Sequence, residues 1–417
     1  MKIDDFDTDN LSKLSEQLAK ALSVLPAPVQ KRVGKELLKL QELVLQQRPP
    51  RLLIVGRRGS GKSSLINAIF RRPVAAIGPV RAQTGKGAWY TYRAPPGELQ
   101  ILDSRGFGES TRPESAERAT AEEEILAATL AEAPDALLFL CKAKEIDARI
   151  AEDIRSMLTV HRQMEKQHGW RSPIVGLVTQ VDELDPVRIG PPFDHPQKKA
   201  NIEEACEVLR QAFAEAGQEA ERILPISTYL EFDGDLIVDE RIWNLDRLLE
   251  YLVEVLPASA RLVMARTTQL RVVQRQVAQE LVKATTVICA GIAAVPIPLA
   301  DTLPLTAAQI AMISSIGYLS GRSMTRRTAT EFISAMGVNV GAGLALRELA
   351  RGLVKLIPGA GSVVSAAVAG AGTWALGQAA ILYFIEGRSA GEAKQRFESA
   401  KNEKPADLPP AEDTEEA

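Results

Sequence analysis

The segment Gly56-Arg57-Arg58-Gly59-Ser60-Gly61-Lys62-Ser63 constrains this chain more than any other. An apolar run at 52–55 leads into it and a helix-like run at 64–70 follows, so a GxxxxGK[ST] pattern stands in a strand–loop–helix setting. Glycines let successive backbone N–H groups curl around an anion, and the start of the helix adds partial positive charge. The chemistry implied is a nucleoside triphosphate with magnesium. Gly56, Gly59, Ser60, Gly61 and Ser64 are the expected phosphate cradle. Lys62 would reach the β and γ phosphates, and the Ser63 hydroxyl would ligate the metal.

At 417 residues the chain exceeds one compact core, and two or three domains are expected. Its overall charge conceals a split: residues 284–385 are strongly depleted in charge relative to those before about 283. A net charge of -3 argues against a nucleic-acid coat. Cys141, Cys206 and Cys289 lie far apart with no CxxC pair, the pattern of reduced thiols in a cytoplasmic protein without a disulfide framework or zinc site. Asp4, Asp5 and Asp7 at the start do not resemble the basic opening of a secretory leader.

Leucines and valines recur at helical spacing over about 8–47, interrupted at Pro26 and Pro28, so residues 1–48 read as a helical hairpin. It either packs on the next domain or serves as a partner-binding arm. From Arg51, short apolar runs at 52–55, 88–92, 99–103, 136–140, 174–179 and 223–226 alternate with helical stretches near 62–70, 114–133, 146–167, 199–217 and 242–256. Such alternation predicts an α/β domain over 49–257, a mostly parallel sheet between helices. Residues 186–196, rich in Pro and Gly, read as a surface insertion. A charged helix is expected over about 259–283, opening an all-α hydrophobic domain at 258–395, and the acidic tail 396–417 reads as disordered.

Further chemistry-bearing residues stand in register behind the phosphate loop. Asp103 ends an apolar strand and opens a DxxG pattern with Gly106, which places a carboxylate near magnesium and an amide near the γ-phosphate. Thr84, in the loop after the first helix, is expected to complete the metal shell, so that Ser63, Thr84 and Asp103 form the magnesium set. Thr179-Gln180-Val181-Asp182 closes the fifth strand, where a carboxylate can accept from guanine N1–H and N2–H₂; adenine lacks that donor pair. Gln180 offers an aliphatic stem to lie along the base, and Ser227 ends the sixth strand, where a loop amide would approach guanine O6.

In this order the motifs resemble the Era-like branch of the translation-factor-related GTPases over about residues 50–256. The C-terminal part resembles the GTPase-linked hydrophobic domain of bacterial YcjF-type proteins, through Pro296-Ile297-Pro298-Leu299-Ala300-Asp301, Gln309 and Ile357-Pro358-Gly359-Ala360-Gly361. The resemblance implies a P-loop GTPase domain, GTP binding with slow hydrolysis, and membrane association. Three positions depart from the family pattern. Thr179-Gln180 replace the usual Asn-Lys, Phe107 stands where Ras-like enzymes have a water-orienting glutamine, and Gly59 replaces the asparagine of potassium-activated GTPases. With that glutamine missing, Lys62, Arg58 and Gly106 are the expected catalytic groups. Arg57 and Arg105 are further candidates for a charge aimed at the γ-phosphate, in cis or across a dimer.

The uncharged runs 284–300 and 302–321 hold 17 and 20 residues, near the roughly 20 that a spanning helix needs. Asp301 between them falls at a turn among Pro296, Pro298 and Pro304, and Lys283, Arg322, Arg326 and Arg327 would keep both ends cytoplasmic. The run 356–385 and the pair Gly337/Gly341 are rich in small residues, which permit close helix contact in a membrane or in a tightly packed bundle. The expectation is a GTP-binding switch at the cytoplasmic side of the inner membrane, with GTP or GDP, lipid and a second copy of the chain as partners. Two alternatives stay open: a nucleotide-gated assembly scaffold with negligible turnover, and an ATP-binding protein.

Overall fold

Apolar runs between Arg51 and Pro225 assemble into one seven-stranded sheet: β1 (Arg51–Gly56), β2 (Ala76–Pro79), β3 (Trp89–Ala94), β4 (Gly97–Asp103), β5 (Ala136–Lys142), β6 (Ile174–Thr179) and β7 (Arg222–Pro225). The structure is a computed structural model. It describes residues 27–74, 76–79, 89–95, 97–103, 125–146, 150–293, 303–322, 324, 326–336, 362–401 and 403. The chain divides into two units, Pro49–Pro257 and the pair of segments Met1–Arg48 and Ala258–Ala417.

In the first unit the strand order is β2-β3-β4-β1-β5-β6-β7. The pairs β1–β4, β1–β5, β5–β6 and β6–β7 are parallel, while β2–β3 and β3–β4 are antiparallel. This is the fold of a P-loop GTPase, a mostly parallel sheet between helices, as the alternating pattern predicts. Leu52, Leu53, Ile54 and Val55 are all buried, because a parallel strand covered on both faces has no solvent side. The helices are α2 (Lys62–Phe70), α3 (Ile150–His168), α4 (Pro196–Glu215) and α5 (Leu245–Val255), with a helical segment at 125–131. Because β1 is flanked by β4 and β5, the strand order reverses there, and ligands of such sheets bind at the carboxyl ends beside that point.

Three strands were not expected, β2 at the edge of the sheet and two more after β7. β8 (Ser227–Asp233) and β9 (Leu236–Trp243) form a separate antiparallel hairpin, so the predicted helix from 242 begins only at Leu245. Asp233-Gly234-Asp235 supplies the turn, with Gly234 at φ +60°, a conformation that costs glycine little. Alternation of Tyr229, Glu231 and Asp233 with Leu230 and Phe232 carries the strand period.

The second unit is helical. It contains α1 (Ala27–Leu40), extended by a π turn over Gln41–Leu45, then α6 (Ala258–Thr268), α7 (Arg271–Ala293), α8 (Leu303–Leu319), α9 (Arg326–Ala335), α10 (Ser362–Ala380) and α11 (Ala390–Ala400). The single charged helix expected over 259–283 is two. Gln269 turns to φ +52° and its Nε2 donates to Arg266 O at 2.6 Å, which ends α6. Arg266 itself is buried, stacks on the Tyr318 ring and donates to Tyr318 O at 2.7 Å. Gln274 donates to Leu319 O at 2.6 Å, so both side chains satisfy carbonyls at the end of α8.

Glycines set how closely these helices approach. A Cβ on Gly291 of α7 would lie 2.2 Å from Val33 of α1, and one on Gly377 of α10 would lie 2.4 Å from Val282 of α7. Among the described residues no helix is long and apolar enough to cross a membrane. Arg322, expected as a flank of a bilayer run, lies over Tyr383 and Phe384 at 5.2 and 5.4 Å. Residues 294–302, with Asp301, and 337–361, with Gly337, Gly341 and Pro358, lie outside the described residues.

Candidate phosphate and base site

The loop between β1 and α2 follows from its glycines. Gly59 and Gly61 sit at φ +78° and +91°, where any side chain would be strained. Gly56 is needed for space, since a Cβ there would lie 2.6 Å from both Leu140 O and Ser60 Oγ. Lys62 folds back over the loop and its Nζ donates to Gly56 O at 2.5 Å and Arg57 O at 3.2 Å. Ser63 and Ser64 are exposed in the first turn of α2. Ser60 is buried, and its Oγ has no hydrogen-bond partner among the described residues.

Register places the other elements at the same end of the sheet. Ile54 is opposite Asp103 and Gly56 opposite Leu140, so β4 delivers Asp103 to the rim beside the loop. Of the expected magnesium set, Ser63 opens α2 and Asp103 ends β4, while Thr84 lies outside the described residues, as do Gly106, Phe107 and Arg105. Arg57 is committed elsewhere: its Nε donates to Asp153 Oδ2 at 2.8 Å, joining the loop to the first turn of α3. Arg58 stays exposed.

The elements expected to read the base are tied together and to the loop. Thr179 is buried, and its hydroxyl donates to Ser60 O at 2.8 Å. Its position is therefore behind the phosphate loop. Gln180 adopts φ +56° and its Nε2 donates to Gly59 O at 2.6 Å. The hydroxyl of Ser227 donates to Asp182 Oδ1 at 2.9 Å, with both side chains buried. That bond orients the carboxylate. Asp182 lies in a one-turn 3₁₀ helix, Val181–Glu183, and Ser227 opens β8, so β6 and the hairpin meet at this pair.

Sequence reasoning missed the support beneath Asp182. Lys198, in the first turn of α4, is fully buried, and its Nζ donates to Asp182 O at 2.9 Å and to Leu184 O. Burial pushes its pKa below the ordinary lysine value, against the opposing pull of Asp182 and Asp185. Residues 186–196 are more than a surface insertion. Phe193 is buried at 1% exposure and touches Trp243 edge-on at 5.2 Å. Asn244 Nδ2 donates to Pro225 O at 3.0 Å, and Arg71 makes a two-pronged contact with Glu240 at 2.9 and 2.7 Å, fixing the hairpin to the end of α2. The available signal was a lone Phe in a Pro-rich stretch and a Trp before a helix.

Residues 51–173 match the 50S ribosome-binding GTPase family, MMR_HSR1, and residues 258–404 match a domain of unknown function, DUF697. Uncharacterized protein YfjP of Escherichia coli (strain K12) is 25% identical over 245 residues, which cover 59% of this chain and 74% of YfjP. Uncharacterized protein YkfA of the same organism is 23% identical over 254 residues, 60% of this chain and 76% of YkfA. The crystal structure of Era in complex with MgGDPNP and 16S ribosomal RNA is similar with a TM-score of 0.31 at 19% identity, covering 58% of this chain and 68% of Era. That likeness is too slight to separate an Era-like domain from other P-loop GTPases. The family matches and the sheet together establish a P-loop GTPase domain followed by a helical region that matches DUF697.

Proposed function

We propose that this protein is a GTP-dependent switch that hydrolyses its nucleotide slowly. The observation that supports it best is the Ser227–Asp182 hydrogen bond at 2.9 Å, beside a phosphate loop to which Thr179 and Gln180 are both tied. A carboxylate oriented this way accepts from the N1–H and N2–H₂ edge of guanine. The cradle fits a triphosphate: Gly59 and Gly61 hold the positive φ that curls the loop backbone, and Ser60 Oγ is a buried polar atom with no hydrogen-bond partner among the described residues. Lys62 would exchange its carbonyl partners for phosphate oxygens. Ser63 and Asp103, with Thr84, would hold magnesium, whose chemistry when bound is to neutralise phosphate charge.

Hydrolysis in this reading draws on Arg58, since Asp153 holds Arg57. The release signal on phosphate loss would arise in the loops of Thr84 and Gly106. Action at the cytoplasmic face of the inner membrane rests on the uncharged runs at 284–300 and 356–385. Lipid and a second copy of the chain are the proposed readers of the switch.

The test is Asp182→Asn. An amide turns one acceptor into a donor, which suits the C2 carbonyl of xanthine and opposes the C2 amine of guanine. GTP affinity is expected to fall roughly 10- to 100-fold while XTP affinity rises. Unchanged GTP binding in this variant defeats the assignment of Asp182.

A further inference from the structure

A lysine in the first turn of a helix is placed against the helix dipole, and one with no exposed surface is rarer still. Lys198 is both, lying three residues into α4 with 0% exposure. Removing an ammonium from water is costly, so its partners must offset that cost. They are the carbonyls of Asp182 and Leu184, which bracket the turn carrying the base-reading carboxylate, and the face of the Phe193 ring at 5.1 Å. Phe193 holds φ +60°, a region that bulky residues avoid, and it does so with its ring buried. The same ring packs on Trp243, which is the register partner of Ser227 across the β8–β9 hairpin. Phe193 thus touches the supports of both halves of the Asp182–Ser227 pair.

We propose that Lys198 is a positioning residue for guanine selectivity, its buried ammonium pinning the Asp182 turn while Phe193 links that turn to the strand pairing behind Ser227. The inference rests on the reading that Asp182 accepts from guanine. It explains how the chain works with Thr179-Gln180 in place of Asn-Lys. Both of those side chains are spent on loop carbonyls, and the cation near the reading turn comes from α4 instead. Lys198 touches no nucleotide in this arrangement. It acts through the backbone of Asp182.

The experiment compares GTP with ITP, which lacks the exocyclic amine, on the full-length chain with magnesium. Lys198→Met keeps an unbranched apolar chain as far as Cε and removes the ammonium. It is expected to lower the GTP-to-ITP affinity ratio about tenfold, with inorganic tripolyphosphate competing as it does against the unaltered protein. Phe193→Leu leaves the ammonium in place and should lower the ratio two- to threefold, by about that order, through loss of the ring. A general loosening of the unit weakens GTP, ITP and tripolyphosphate together and leaves the ratio alone; that result in either variant overturns the proposal. Asp182→Asn separates the two readings. If it abolishes the ratio while Lys198→Met does not, only the role of Lys198 fails. If Asp182→Asn leaves the ratio intact, the base-reading assignment fails first.

Discussion

Thr179, Lys198 and Ser227 in the sheet unit are as buried as the leucines of β1 and Asp182 is nearly so, and each has a named partner that ties one loop of the site to another. In the helical unit Thr285, Thr286, Ser314 and Ser315 are equally buried, yet their hydroxyls have no partner among the described residues. An unpartnered buried hydroxyl costs about 1–3 kcal/mol. The contrast separates two uses of small polar residues. In the sheet unit they position loops, so the donor matters. At these four positions of the helical unit their value is their size, as with Gly291 and Gly377, whose Cβ atoms would collide with valines of neighbouring helices.

The largest expected effect that would break this division is at the loop. Lys62→Ala should weaken GTP by at least roughly 100-fold, from loss of charged hydrogen bonds, while the thermal transition of the helical unit stays in place. A matching loss of helical stability in calorimetry would mean the two units do not respond separately. The mirror experiment is Gly377→Val, which overpacks against Val282 and should cost about 1–3 kcal/mol of stability with GTP affinity unchanged within twofold, by about that margin.

A finer test exchanges hydroxyl for methyl in each unit. Thr179→Val removes the bond to Ser60 O and should cost about 1 kcal/mol, together with weaker GTP binding. Thr285→Val removes a hydroxyl that has no partner among the described residues and should be neutral or stabilising by up to about 1 kcal/mol in chemical denaturation. Equal destabilisation at both positions would erase the distinction.

The smallest effect concerns the thiols, which report each unit by itself. Burial pushes Cys206 up to about 11 and Cys289 up to about 12, so neither reacts readily at pH 8 in the folded chain. GTP should slow alkylation of Cys206 and leave Cys289 unaffected, read by mass spectrometry of the labelled peptides. Between pH 9 and these values the unfolded thiols ionise while the folded ones keep their protons. Stability from both is full below pH 9 and declines as pH rises toward 11 and 12.

Legibility in the sequence followed the same division. The phosphate loop was readable because its glycines and lysine act through local backbone geometry, and the parallel strands because burial on both faces leaves an unbroken apolar run. The partners of Asp182 were harder. The place of Ser227 after a strand marks it in the sequence as a neighbour of Asp182, but Lys198 and Phe193 make contacts that no local pattern encodes, across a turn of unusual backbone. The hairpin was legible in Asp233-Gly234-Asp235 and its flanking alternation, yet the charge of Glu231, Asp239 and Glu240 masked the strand period. In the helical unit, lack of charge alone could not distinguish helices that face lipid from helices that face one another. Gly377 against Val282 is a contact of the second kind.

Guanine recognition is the claim on which the rest depends, and competition measures it directly. Full-length protein with magnesium and a fluorescent GTP analogue is titrated with unlabelled GTP and, separately, with ATP. The account predicts displacement by GTP at concentrations at least about 100-fold below those needed with ATP, because a site built to pair with guanine N1–H and N2–H₂ leaves its carboxylate unmatched by adenine. Equal potency of the two nucleotides would contradict it.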